Sequence, residues 1–304
     1  MKNILIIGGS YFIGKVFALT ALKDKGCKMH IMNRGNNPLK VEGISEYKCD
    51  RHDTHRLKAA VPPLVFDAVV DFCAYNPSDV DMLLSHLPCQ IKHYIYISSC
   101  AVFRPSSDHP KYEDSPKIDS LVPGPAGEYA YNKRILETET KKVCERMDIP
   151  YTIIRPSFVY GPYNYAPRES FFFKIILSGG ELSVPSPCLA LFQFVYVKDI
   201  AKFLLACIGN QSVINKSYNL SAPELISYEK LIQTLASITD APIKQKRLDV
   251  ETIERERIPL PFPLEQHELF SGEAICDALS LAYTPFYDGL KESFEFYKKY
   301  VYRP

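Results

Sequence analysis

The sequence has little charge imbalance, no paired-cysteine spacing, no long apolar run and no internal repeat. Its 36 basic and 35 acidic side chains leave a formal net charge of +1. That balance gives no electrostatic reason to expect nucleic acid or an anionic membrane as the main partner. The nine cysteines are scattered and never spaced C-x-x-C in a chain of 304 residues. An odd count in a chain of this size argues against a disulfide framework and reads as reduced thiols in a cytoplasmic protein. The N-terminal "MKNILIIGGSYFIGK" lacks the long apolar region and cleavage site of a leader. No apolar stretch approaches the roughly 20 residues of a membrane span.

What is present is an alternation of strands and helices. "NILII" is a short apolar run that stops at Gly8-Gly9, and "SYFIGKVFALTALKDKG" follows with apolar positions at helical spacing. "KMHIM", "EYKC", "FDAVVDFCA", "KHYIYIS" and "YTIIRPSFVY" read as five further strands, with a helix in "PSDVDMLLSHL" and another from residue 128. Strands alternating with helices predict βαβ units and a doubly wound parallel sheet buried on both faces. Beyond Gly161-Pro162 proline and aromatics become frequent, as in "YGPYNYAPRESFFF" and "IPLPFPLEQHELF". The expected division is a dinucleotide-binding domain over 1–160, with a return segment near 190–220, and a smaller, discontinuous α/β substrate domain over 161–304.

Gly8, Gly9 and Gly14 stand between the first strand and its helix. A glycine turn there lets backbone approach a pyrophosphate, which the helix N-terminus then favours. The full G-x-G-x-x-G is absent; the nearer template is G-x-x-G-x-x-G with Tyr11 at its middle position. The whole turn, with Ser10, Tyr11, Phe12 and Ile13 between the glycines, is expected to line the cofactor. An NAD-specific site usually carries an acid at the end of the second strand. Here Asn33 is neutral and Arg34 cationic, which favours a 2′-phosphate and so NADP over NAD. After the third strand, Asp50 is placed to accept from the adenine amino group, with Arg51 beside it. His52 and His55, spaced H-x-x-H, lack a third ligand nearby, so no metal is expected.

Several segments together resemble the short-chain dehydrogenase/reductase superfamily, and within it the NAD-dependent epimerase/dehydratase branch with its Rossmann domain. "GGSYFIG" resembles the nucleotide turn, "ISSCAVF" the serine-bearing strand end, and "YAYNK" the Y-x-x-x-K. "RPSFVYGP", "FQFVYVKDIA", "SYNLSAPELISYEKLI" and "LAYTPFYDGLKESFEFY" resemble later segments in the same order. Tyr11 at the middle glycine and "NRG" at the acidic strand end depart from the pattern and point to the atypical subgroup.

In "EYAYNK" only Tyr129 stands four residues before Lys133, so the two share a helix face, and Tyr131 is read as packing. A free phenol has a pKa of about 10. A neighbouring ammonium is expected to lower it, letting Tyr129 take a proton from a substrate hydroxyl or give one to a carbonyl. Ser98 and Ser99 are both candidates for the third hydroxyl, and the resemblance selects Ser99. The resemblance also implies that Lys133 bonds the nicotinamide ribose, that Ala74 packs near the cofactor, and that Pro156 and Ser157 lie against the nicotinamide. Arg168 is a candidate for an anionic substrate group. The expected function is an NAD(P)-dependent epimerase or reductase acting on a nucleotide sugar, and the resemblance implies a homodimer through helices near 77–87 and 129–146. The alternative is a non-catalytic module that senses NADP(H) or binds RNA.

Overall fold

Chain order in the computed structural model, which describes residues 1–239 and 242–303, begins with β1 (Lys2–Ile7), α1 (Phe12–Ala21), β2 (Cys27–Asn33), β3 (Ile44–Lys48) and α2 (Thr54–Leu57). β4 (Val65–Phe66), β5 (Ala68–Asp71), α3 (Asp79–His86), β6 (Gln90–Ile91), β7 (Tyr94–Ile97) and α4 (Pro125–Arg146) follow. The later half holds β8 (Tyr151–Pro156), β9 (Phe158–Tyr160), α5 (Glu169–Leu177), β10 (Leu182–Pro185), β11 (Phe194–Tyr196) and α6 (Val197–Cys207). It ends with β12 (Lys216–Leu220), α7 (Tyr228–Thr239), β13 (Gln245–Leu248), α8 (Val250–Arg255), α9 (Glu273–Leu279) and α10 (Phe286–Tyr300).

Seven strands form one sheet in the order β12-β8-β7-β5-β1-β2-β3, every neighbouring pair parallel. β1 shows why both faces are covered. Ile4 and Ile6 belong to the apolar cluster that includes Phe17 of α1 and Phe203 of α6. Leu5 and Ile7 belong to the cluster on the other face with Leu83 of α3 and Leu136 of α4. Each such buried side chain contributes about 1.5–3 kcal/mol. The strand order reverses between β1 and β5, so the loops after these strands diverge and leave a crevice at their carboxyl ends.

Two strand readings need correction. "YTIIRPSFVY" is not one strand. β8 ends at Pro156, and β9 leaves the main sheet to pair with β11. At the break, the Ser157 amide donates to the Leu220 carbonyl at 2.9 Å. The seventh strand, β12, comes from "KSYNL", which the strand pattern passed over, and it pairs with β8 through Lys216 to Leu220.

The proline- and aromatic-rich late chain packs around rings. Phe192 stacks on Phe262 at 4.9 Å and Phe194 on Phe286 at 5.1 Å, pairs worth roughly 0.5–1.5 kcal/mol each beyond their area. Among the described residues no helix is long and apolar enough to cross a membrane.

Candidate active site

The crevice at the β1/β5 reversal has a volume of about 750 Å³. Its floor is the glycine turn. Gly8 and Gly9 have φ of +96° and +78°, a region that side chains disfavour. A Cβ on Gly14 would sit 2.6 Å from the Gly9 Cα, so helix and turn touch backbone to backbone. Tyr11 has extended backbone, φ −124°, and gives α1 no side-chain cap. The N–H groups opening α1 therefore face the turn without that competitor. Tyr11 also explains why the middle glycine can be lost: its dihedrals suit any residue, and its ring, 59% exposed, stays at the mouth.

α4 is keyed to the sheet by two glutamates. Glu139 accepts from the Ser78, Val80 and Asp81 amides at 2.7, 3.0 and 2.9 Å, capping α3. Glu137 accepts from Arg155 Nε and Nη2 at 2.7 and 2.9 Å and from Ser98 Oγ at 2.7 Å, all buried. These bonds fix the turn of α4 that carries Lys133. They also separate the two serines: Ser98 is engaged with Glu137, whereas Ser99, half-buried, accepts from the Ala101 amide at 3.2 Å and interacts with the Tyr129 phenol.

Lys133 is 2% exposed, and its Nζ donates to the carbonyls of Ala74 at 2.9 Å and Ile97 at 2.8 Å. Burial pushes its pKa down to about 8, against the pull of the Asp71 carboxylate. Tyr129 is 41% exposed as a whole residue and lines the crevice. Burial raises the phenol above its ordinary value, while the Ser99 hydroxyl and Arg168 oppose that rise. This corrects the expectation of a phenol depressed by Lys133. The ammonium lies 5.9 Å from the ring centroid and closer to Tyr75, at 4.7 Å, and the groups that lower Tyr129 are the serine and the arginine.

The crevice gathers Gly8, Gly9, Ser10, Tyr11, Phe12, Ile13 and Gly14 with Asn33, Arg34, Asp50 and Arg51, and with Ser99, Tyr129, Lys133, Pro156, Ser157 and Arg168. Two expected cofactor residues have protein partners of their own. Ala74 is fully buried and does not line the crevice; it acts through its carbonyl on Lys133. Arg51 is 7% exposed and bound bidentate to Asp71 at 3.0 and 2.8 Å and to the Asp79 carbonyl at 2.8 Å, so its guanidinium is held within the wall. Asn33 links Gly35 to the turn, accepting from the Gly35 amide at 2.7 Å and donating to Ser10 Oγ at 3.0 Å. Asp50 stands exposed on the rim and accepts from the His52 amide at 3.0 Å. His52 Nε2 is 2.7 Å from Asp79 Oδ1, so its partner is a carboxylate on α3.

The motif reading missed Tyr75 and Tyr165, both exposed and both in the crevice wall. An aromatic directly after a sheet-end strand ("FCAYN") or inside the proline loop ("YNYAPR") is the available signal. The residues present fit a dinucleotide. The turn admits backbone contact, the α1 amides carry no side-chain cap, and Ser157 Oγ in the wall is buried without a hydrogen-bond partner among the described residues.

The sequence profile of the NAD dependent epimerase/dehydratase family matches residues 4–221. The chain belongs to that family. Among relatives of this family member, the chloroplast stem-loop binding protein of 41 kDa b from Arabidopsis thaliana is 29% identical over 255 residues. The match covers 79% of this chain and 64% of that protein; the chain thus spans less than two thirds of that relative's length. Among solved structures, UDP-N-acetylglucosamine 4-epimerase from Methanobrevibacter ruminantium, in complex with UDP-N-acetylmuramic acid, superposes with a TM-score of 0.79 at 21% identity, covering 98% of each chain. UDP-glucuronic acid 4-epimerase from Bacillus cereus, in complex with UDP-glucuronic acid and NAD, gives a TM-score of 0.76 at 18% identity, covering 98% of this chain and 99% of that one. These likenesses establish the doubly wound, Rossmann-type fold.

Proposed function

We propose that this family member is an enzyme that binds NAD at the glycine turn and acts on a nucleotide sugar by proton transfer through Tyr129. The reading rests chiefly on one observation: Ser99, Tyr129 and Lys133 line the same crevice as the uncapped glycine turn. Gly8 to Gly14 would hold the pyrophosphate, and Pro156 and Ser157 would flank the nicotinamide. A nicotinamide, when bound, supplies hydride acceptance and donation.

The chain's own residues do the rest. Ser99 orients the substrate oxygen, and Tyr129 Oη takes the hydroxyl proton or returns it to the carbonyl. The raised phenol favours the protonated form as the resting state, ready to donate. Lys133, fixed by two carbonyls, retains a third N–H for a ribose hydroxyl. Arg168 supports the assignment of an anionic substrate, because it is a cation lining the same crevice as Tyr129.

NAD is favoured by the family and by the cofactor named with the B. cereus enzyme. Arg34 is exposed at the rim, which makes NADP the second choice. Competitive titration of NADH against NADPH decides between them, with NADH expected to bind more tightly. For turnover, the chain is incubated with NAD and a panel of UDP- and dTDP-sugars, and products are resolved by NMR. Inversion at one sugar carbon without net reduction of cofactor is expected. Cofactor binding with no change in any sugar, alongside RNA affinity that falls steeply with salt, would overturn the enzymatic reading in favour of a binding module.

A further inference from the structure

We propose that Glu169 is a positioning residue that holds the substrate-side wall of the crevice by clamping the loop 161–168 from behind. The proposal rests on the reading above only for the ligand whose binding the loop serves. Glu169 opens α5 and is 3% exposed. Its Oε1 accepts from the Gly161 amide at 2.9 Å and its Oε2 from Asn164 Nδ2 at 2.8 Å. Asn164 passes the constraint on, accepting from the Ala166 amide at 3.0 Å through its own Oδ1. Gly161 cannot yield at the other end: its φ is +132°, and a Cβ there would meet Val197 Cγ1 at 2.5 Å.

The clamped loop presents two side chains to the crevice. The Tyr165 ring lies edge-on at 6.2 Å from Tyr11 and 6.3 Å from Phe12, spanning from the late chain to the glycine turn. Arg168 donates to the Val159 carbonyl at 3.1 Å and lies over the Phe158 ring at 5.6 Å. One buried carboxylate thus fixes both groups relative to Tyr129, although it does not itself line the crevice.

Glu169 makes these bonds with neutral N–H donors, and burial raises it to about 7. The groups facing it are Arg168 on its own turn, which favours the ionised form, and the Tyr160 phenol of β9. Tyr160 in turn feels Asp199 of α6, Glu224 and Asp288 of α10. In an opened loop the carboxyl returns to its ordinary 4.5. The closed loop therefore binds the proton more tightly. Its advantage is complete below pH 4.5 and is lost as pH rises to about 7.

The test is amide hydrogen exchange of the full chain, read by mass spectrometry and corrected for intrinsic rate, with affinities for UDP-glucose and NADH measured alongside. Glu169→Ala should speed exchange across 161–168 at least tenfold and leave the β1, β5 and β7 peptides unchanged. It should weaken UDP-glucose about tenfold while NADH changes less than twofold. In the wild type, protection of the loop should fall between pH 5 and 7; in Glu169→Gln that dependence should vanish. If Glu169→Ala does not fold, Asn164→Ala, which removes the Oε2 bond of the clamp, should speed exchange of the Gly161 amide, held by Oε1, at least threefold. Unchanged exchange in the folded variant, or a pH dependence that survives in Glu169→Gln, overturns the proposal. If the wild type binds no UDP-glucose, the substrate class is wrong, and the exchange measurements still decide the clamp.

Discussion

Replacing Asp71 by asparagine removes the charge that the crevice floor is built around. Asp71 is fully buried, accepts two bonds from Arg51, one from the Cys73 amide at 3.0 Å and one from the Tyr94 hydroxyl at 2.8 Å. Arg51 and these neighbours hold its carboxyl below the usual 3.8 despite burial, which pushes the other way. In Asp71→Asn the amide nitrogen faces guanidinium donors, and Arg51 keeps the Asp79 carbonyl at 2.8 Å, Cys73 Sγ at 3.6 Å and one carboxylate oxygen, Asp79 Oδ1, 3.9 Å from its Nε. Breaking one partner of a buried pair costs about 3–5 kcal/mol, a large share of the roughly 5–15 kcal/mol that holds a folded protein. With a urea slope of about 3 kcal/mol/M, the unfolding midpoint should fall by about 1–1.7 M. Because the carboxyl is depressed, its contribution is fully present above pH 3.8 and is lost only as pH falls through its lowered value. The gap between wild type and variant should therefore stay constant from pH 5 to 8, and 1 M salt should barely reduce it, since buried pairs are weakly screened. Urea unfolding followed by circular dichroism reads all three. A midpoint shift below about 0.3 M, or a gap that salt abolishes, would refute the view of this pair as a buried structural unit.

Three further outcomes follow from the same geometry. Gly14→Ala places a methyl against Gly9 backbone and should cost about 1–3 kcal/mol by overpacking while weakening NADH at least tenfold; unchanged NADH affinity would show that the turn does not contact the cofactor. Lys133 is held near 8 by burial, so the cost of its ammonium is present below pH 8 and is relieved between 8 and 10.5; urea midpoints should show wild type gaining on Lys133→Met over that range, and parallel profiles would contradict it. Ser98→Ala, which strips a buried bond from Glu137, should lose about 1–3 kcal/mol of stability and keep turnover, whereas Ser99→Ala should do the reverse.

The parallel sheet was legible because "NILII" and "AVV" carry burial on both faces in their composition, and the glycine turn because its residues sit between a strand and a helix. That Tyr129 and Lys133 share a helix face was legible from their spacing, and their reading as a pair drew on the glycine turn and "ISS" upstream. What escaped depended on partners distant in sequence. "KSYNL" has too few apolar residues to read as a strand, and it becomes one because β8 offers an open edge. The apolar run breaks at Pro156-Ser157, where the Ser157 amide is captured by Leu220, a partner far along the chain. That Arg51 would be engaged by Asp71, twenty positions away, is likewise invisible in "CDRHD". The direction of the Tyr129 shift likewise followed from burial, which outweighs Ser99 and Arg168 and which the Y-x-x-x-K spacing does not encode.

The central claim, that the Tyr129 hydroxyl carries the substrate proton, is tested most directly by Tyr129→Phe. The substitution removes one oxygen at the wall and leaves the turn, Lys133 and its carbonyl partners in place. Turnover of the sugar identified from the panel should fall at least a thousandfold, a barrier increase of about 4 kcal/mol, with NADH affinity within twofold of wild type. Turnover retained within tenfold in that variant would contradict the account.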